Sequence, residues 1–270
     1  MDDAAGYGDD GPIVSTAWLI DHLGQPGVRA LDARPVAAYA AGHLPGAISF
    51  DPYPIKLRSS SPGAVAAFVA ASEAGLRRAG VRPGERVVVY EDHAGTSAAR
   101  VVWLLDYLGH GGGAMLDGGL AAWVAAGGAV TRAVPEADPS AFAATPDPAL
   151  LISAEAIATD VAAGGDRLRV LDTRGVPERM AGTIPGSVPL DWTEHLNPDG
   201  TLRPPAALRA RYAAAGLTLD DDRPIVAFCG SGYRAAHAYV VLKALGFPRV
   251  TNYAPSWAEW GQRGDLPVAR

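Results

Sequence analysis

The chain carries the same outline twice, so its fold has to be built from two similar halves. Val28-Arg29-Ala30-Leu31-Asp32-Ala33-Arg34 is matched by Leu168-Arg169-Val170-Leu171-Asp172-Thr173-Arg174, 140 positions later. In the same register, Gly42-His43-Leu44-Pro45-Gly46-Ala47 is matched by Gly182-Thr183-Ile184-Pro185-Gly186-Ser187. Arg86-Val87-Val88-Val89-Tyr90-Glu91 then parallels Pro224-Ile225-Val226-Ala227-Phe228-Cys229. Gly118-Gly119-Leu120-Ala121-Ala122-Trp123 parallels Pro255-Ser256-Trp257-Ala258-Glu259-Trp260. Paired segments in one order indicate duplication, and a period this long describes two domains rather than a solenoid.

Each copy alternates short β-branched runs with longer segments rich in alanine and leucine. That pattern predicts an α/β fold with a mainly parallel central sheet flanked by helices. In the second copy, strands are expected near Arg169–Asp172, Ser187–Leu190, Ile225–Phe228 and Val250–Tyr253, with helices over Ala154–Ala163, Pro205–Ala215 and Ala235–Leu245. Residues 1–12, acidic and glycine-bearing, read as a loose tail. The two domains are expected over 13–128 and 149–270. The proline, alanine and acidic content of 129–148 suits a linker draped over the surface.

Composition removes several classes of function. A net charge of −6 argues against a nucleic-acid footprint or an anionic membrane surface. No uninterrupted apolar run is long enough for a spanning helix, and the acidic start lacks the pattern of a secretory signal. The basic residues are nearly all arginine, the lysines being Lys56 and Lys243. One cysteine excludes an internal disulfide, makes a cysteine-based zinc site improbable and points to a reducing cytoplasm.

That cysteine, Cys229, follows the apolar run Pro224–Phe228 and opens the loop Cys229-Gly230-Ser231-Gly232-Tyr233-Arg234 ahead of a helical stretch. In open parallel sheets ligands collect beyond the carboxyl ends of the strands, where Cys229 falls. A thiol there faces loop amides and a helix N-terminus, both of which favour negative charge. A free thiol near its reference pKa of about 8.5 is only a few per cent thiolate at neutral pH, so a nucleophilic cysteine needs such stabilisation. Gly230 and Gly232 would let amides turn inward, and the Ser231 hydroxyl would add a donor near the sulfur. With no second cysteine to resolve it, sulfur carried on Cys229 has to leave to another molecule.

The chain resembles the rhodanese superfamily of sulfurtransferases in its tandem two-domain form. Tyr39-Ala40-Ala41-Gly42-His43-Leu44-Pro45-Gly46-Ala47 is similar to the N-terminal signature of that family. Val250-Thr251-Asn252-Tyr253-Ala254-Pro255-Ser256-Trp257-Ala258-Glu259-Trp260 is similar to its C-terminal one, with Pro255 where glycine is usual. Cys229-Gly230-Ser231-Gly232 resembles the active loop of 3-mercaptopyruvate sulfurtransferases. Related phosphatases and arsenate reductases carry Cys-x5-Arg, whereas Arg234 follows Cys229 after four residues, which favours sulfur over a tetrahedral oxyanion.

The resemblance implies two rhodanese-like domains, one catalytic and one silent, since Glu91 occupies the place of Cys229 in the first copy. It implies a transferase that takes a sulfane sulfur from 3-mercaptopyruvate or thiosulfate onto Cys229 as a persulfide. The sulfur then passes to cyanide, a small thiol or a protein thiol, without metal, organic cofactor, nucleic acid or membrane. A non-turnover sulfur carrier or protein-interaction module is the alternative. Arg234 is expected either to bind the donor's anionic end or to pair with a neighbouring carboxylate. Glu178 stands where many relatives place a donor-binding arginine, so Arg179 beside it is a substitute candidate, and Trp257 is a candidate to line the cleft. Asp32, Arg34, Asp172 and Arg174 recur in both copies and read as structural. His43 reads as a turn histidine, and His237 and Trp260 as packing.

Overall fold

The computed structural model describes residues 6–270. Each copy forms a sheet in which every registered strand pair is parallel. The first copy runs β1 (Ile13–Val14), α1 (Thr16–His22), β2 (Val28–Asp32), α2 (Val36–Ala41), β3 (Ile48–Ser49), α3 (Pro62–Arg78), β4 (Arg86–Tyr90), α4 (Thr96–Tyr107), β5 (Gly113–Leu116) and α5 (Gly119–Ala125). The second runs α6 (Ala154–Ala162), β6 (Arg169–Asp172), α7 (Val176–Met180), β7 (Val188–Pro189), α8 (Pro205–Ala214), β8 (Ile225–Phe228), α9 (Tyr233–Ala244), β9 (Val250–Asn252) and α10 (Trp257–Trp260).

Strand order is β1-β5-β4-β2-β3 in one sheet and β7-β6-β8-β9 in the other. The edge pairing of β1 with β5 survives in the second copy only as the parallel bridge Leu151–Asn252. β4 and β8 are buried almost throughout, as continuous apolar runs between two strands require. Both copies therefore present the C-terminal ends of matching central strands, at Glu91 in one and Cys229 in the other.

The two copies meet through α4 and α9, which are buried nearly all round. Small residues (Ala98, Ala99, Ala235, Ala236 and Ala238) contribute to the apolar cluster that runs through both copies. Each copy keeps a separate small cluster on its outer side. Some polar groups buried at this seam are paired across it. Tyr239 Oη and Lys243 Nζ donate to Asp106 Oδ2 at 3.0 and 2.7 Å.

Two buried histidines of the second copy sit on the same seam. Tyr212 Oη lies 2.8 Å from His195 Nε2, His195 Nδ1 lies 3.1 Å from His237 Nδ1, and His237 Nε2 donates to the Ala94 carbonyl at 3.0 Å. The chain closes with each ring neutral, its protons on His195 Nδ1 and His237 Nε2. Burial pushes His237 down to about 4 and His195 well below its usual value. Below about pH 6.5 the unfolded chain takes up protons that the folded one refuses, so stability falls as pH drops; the His237 contribution levels off beneath about 4, while that of His195 continues to lower pH. Urea unfolding at pH 7.5 and 5.0 should show a loss of about 2 kcal/mol from His237 alone, missing from the His237→Gln variant.

Residues 7–12, expected to be a loose tail, are tied to the body. Tyr7 Oη donates to the Arg203 carbonyl, Arg86 Nη2 donates to the carbonyls of Asp9 and Gly11, and Asp9 Oδ1 accepts from Ser15 N at 2.7 Å. Residues 1–5 of that expectation lie outside the described residues. The 129–148 stretch lies along the first copy without regular structure, apart from the bridge His43–Thr131 and the start of a short 3-10 turn. It is pinned by buried Phe142, whose carbonyl accepts from Arg77 Nε at 2.6 Å. Asp32–Arg34 and Asp172–Arg174 form equivalent buried ion pairs, and each arginine also holds the carbonyl of Gly42 or Gly182.

Candidate active site

Cys229 is 1 % exposed and belongs to the central apolar cluster, yet its sulfur has polar company. Gly232 N donates to Sγ across 3.1 Å. That N–H points inward because Gly232 adopts φ +84°, a left-handed conformation that glycine adopts freely. Asn252 Nδ2 holds the Gly232 carbonyl at 3.2 Å and so fixes the same residue from its other side. The carbonyls of Cys229 and Gly230 accept from the first amides of α10, Trp257 N at 3.0 Å and Ala258 N at 2.9 Å. The loop is thus clamped between the end of β8 and the start of α10.

The sequence led us to expect several loop amides and the Ser231 hydroxyl around the sulfur. One amide meets hydrogen-bond geometry, and Ser231 is exposed. The nearby hydroxyl comes from Ser256, which the sequence reading missed. Its Oγ accepts from Cys229 N at 3.0 Å, donates to the Tyr253 carbonyl at 2.7 Å and lies 4.0 Å from Sγ. Among the described residues Ser256 is the one non-glycine with positive φ, at 57°. Such a conformation costs of order 1–3 kcal/mol and persists only where its surroundings enforce it.

Arg234 takes the carboxylate-pairing option, with Nη1 and Nη2 donating to Glu178 Oε2 and Oε1 at 2.5 and 2.8 Å. Glu178, and then the nearby Cys229 sulfur, hold its guanidinium above its ordinary range, while the same ion pair lowers Glu178. Gly230 leaves room for this, since a Cβ there would lie 3.0 Å from Arg234 Nη2. Arg179 donates to the Arg174 carbonyl. Trp257, expected to line the cleft, stacks instead over the Arg174 guanidinium at 4.4 Å. The structure therefore brings Gly232 and Arg234 to the sulfur, sets Gly230 against the Arg234 guanidinium, leaves Ser231 exposed, and gives the Arg179 and Trp257 side chains other contacts.

The first copy reaches into the site. Tyr233 Oη donates to the Pro52 carbonyl at 2.9 Å, and burial pushes its phenol up to about 12. Arg100, on α4 of the first copy, places its guanidinium 5.5 Å from the Tyr233 ring centre. The sequence held a signal for Arg100, a lone charge inside the run Ala98-Ala99-Arg100-Val101-Val102.

At the matching position of the first copy, the Glu91 carboxylate turns back on its own loop. Oε1 accepts from Ser97 N at 2.6 Å and Ala98 N at 3.2 Å. Burial raises its pKa. The anion-binding amides at the start of α4 are thus occupied by a side chain of the same domain.

Gly232 is the point at which this geometry is most sensitive. A Cβ there would lie 2.3 Å from the Ala254 carbonyl oxygen, a backbone atom that cannot swing aside. Gly232→Ala should therefore displace the amide from Sγ and slow thiolate alkylation by iodoacetamide about tenfold at pH 7. Alkylation kinetics on folded protein check this, and an unchanged rate would show that the amide is not needed.

A duplicated parallel α/β domain, with one glycine loop holding a cysteine and its twin filled by a carboxylate, defines a class of tandem two-domain proteins. The chain belongs to the rhodanese-like family: the sequence profile of the Rhodanese-like domain matches residues 15–126 and 154–263. It is 36 % identical to thiosulfate sulfurtransferase of Pseudomonas aeruginosa, over 95 % of this chain and 96 % of that one. It is 39 % identical to a probable 3-mercaptopyruvate sulfurtransferase of the same organism, over 72 % and 71 % of the two chains. The crystal structure of SseA from Escherichia coli, a 3-mercaptopyruvate sulfotransferase, superposes with a TM-score of 0.79 at 27 % identity, covering 92 % of this chain and all (100 %) of that one.

Proposed function

We propose that this protein is a sulfurtransferase that moves a sulfane sulfur from 3-mercaptopyruvate or thiosulfate to a thiophilic acceptor through a persulfide on Cys229. The observation that carries this reading is the Gly232 N–H aimed at a buried Sγ from 3.1 Å, beyond the end of a central strand. The names of the relatives support both donors.

The reaction runs in two steps. The Cys229 thiolate attacks the outer sulfur of the donor. With thiosulfate the S–S bond breaks and sulfite leaves with its electron pair. With 3-mercaptopyruvate the C–S bond breaks, and the pyruvate enolate leaves and takes up the proton of the donor thiol. Each route deposits one sulfur and leaves Cys–S–S⁻. Cyanide or a thiolate then attacks the outer sulfur, and Cys229 returns as thiolate. The Gly232 amide offers a hydrogen bond to whichever sulfur bears the charge.

The domain spanning 149–270 would carry the reaction, and that spanning 13–128 would close the site without reacting, since a carboxylate at Glu91 cannot take up sulfur as a thiolate does. Among the described residues no helix is long and apolar enough to cross a membrane. A reactive lone cysteine suits a reducing cytoplasm.

Thiocyanate release with cyanide as acceptor and each donor in parallel tests the proposal and settles donor choice. Turnover with either donor supports it. Absence of turnover with both, on folded protein, favours a sulfur carrier.

A further inference from the structure

Arg100 is 2 % exposed, and it has no carboxylate partner and makes no side-chain hydrogen bond among the described residues. Its Nη1 is sealed from solvent with nothing to donate to. The guanidinium lies among Trp103, Phe68 and Tyr233, with Cζ 4.4, 5.3 and 5.5 Å from their ring centres. Stacking on aromatic faces returns less than burying a charge without an anion costs. The rings therefore offset only part of the cost. Arg234, the guanidinium of the cysteine loop itself, is already paired with Glu178.

Through the Tyr233 ring Arg100 reaches the loop that begins at Cys229, and the acids whose charge bears on it are Tyr233 and Cys229; Tyr233 stays protonated, which leaves the sulfur to supply a full negative charge. Burial brings Arg100 down to about 10, against the opposing pull of Tyr233 and Cys229. We propose that Arg100, supplied by the catalytically silent copy, is the counter-cation of the sulfur anion on Cys229, in the resting thiolate and in the persulfide. This rests on the sulfurtransferase reading and extends it. The first copy then contributes charge as well as shape, and the site is complete only when the copies are docked. Arg100 is a positioning residue, acting on the ionisation of the sulfur.

The test compares Arg100→Met, which keeps bulk and removes charge, with Arg100→Lys, which keeps charge. Alkylation of Cys229 by iodoacetamide, followed against pH, reports ionisation independently of turnover. Arg100→Met should slow alkylation at pH 7 by about tenfold and move its pH profile upward, with Arg100→Lys restoring most of the rate. In the unsubstituted protein, the Arg100 guanidinium 15N resonance should titrate with the same midpoint as Cys229 alkylation, a readout that needs no variant to fold. An Arg100→Met profile superimposable on the wild type, or a guanidinium signal indifferent to that titration, would overturn the proposal. If the wild type still forms persulfide in that case, the sulfurtransferase reading stands.

Discussion

Cys229→Ser is expected to lower thiocyanate formation by more than about 10³-fold with either donor. The serine hydroxyl is not ionised near neutral pH, and it cannot form the S–S bond on which the intermediate depends. The loop itself should survive the change. Sγ accepts a hydrogen bond from Gly232 N, and an oxygen can accept the same bond. The thermal midpoint should therefore shift by only a few degrees, which separates loss of chemistry from loss of fold. A serine variant retaining a tenth of the wild-type rate would mean that sulfur passes directly from donor to acceptor, and the two-step scheme would fall.

The largest effect on stability is expected from Arg174→Met. Arg174 is 1 % exposed, and its Nε and Nη2 donate to Asp172 at 2.9 and 2.7 Å, with Nη2 also holding the Gly182 carbonyl at 2.8 Å. Its guanidinium lies over the rings of Phe228, which precedes the cysteine loop, and Trp257, whose amide holds the Cys229 carbonyl. Without it, the fully buried Asp172 carboxylate keeps only the Thr183 hydroxyl and the backbone N–H of residue 174 as donors. Removing one partner of a buried pair leaves an uncompensated charge and costs about 3–5 kcal/mol. Urea unfolding measures this directly. Adding Asp172→Asn to Arg174→Met should recover part of the loss, because no charge is then stranded. A single-variant cost below about 1 kcal/mol would show that the pair is not holding the end of β6.

The sequence and structure agree where the signal is local and repeated. The duplicated Leu-Asp segments, Leu31-Asp32 and Leu171-Asp172, mark the ends of β2 and β6, and the apolar runs before Glu91 and Cys229 mark β4 and β8. Boundaries moved where a single residue adopts a special conformation. Helix α9 starts at Tyr233 rather than Ala235, because left-handed Gly232 ends the loop sooner than the alanine run indicates. β9 stops at Asn252, whose side chain turns to the Gly232 carbonyl.

The site was legible at Cys229 and its glycines, since a thiol between a strand and a glycine loop leaves a pattern in one short stretch. Ser256 and Arg100 were not read as site residues for a different reason. Ser256 meets Cys229 only through the return of the chain after β9, and its positive φ has no residue signature. Arg100 lies on the other copy and reaches the cysteine loop only when α4 and α9 dock. Tryptophan in a signature segment pointed the other way: the Trp257 amide holds the Cys229 carbonyl while its ring packs on Arg174.

The measurement that bears most directly on this account is the intact mass of the protein after exposure to a sulfur donor. The wild type should gain about 32 Da, one sulfur atom, and lose it on addition of cyanide, while Cys229→Ser should gain nothing. An unchanged wild-type mass under conditions that release thiocyanate, or an equal gain in the serine variant, would contradict a sulfur atom carried on Cys229.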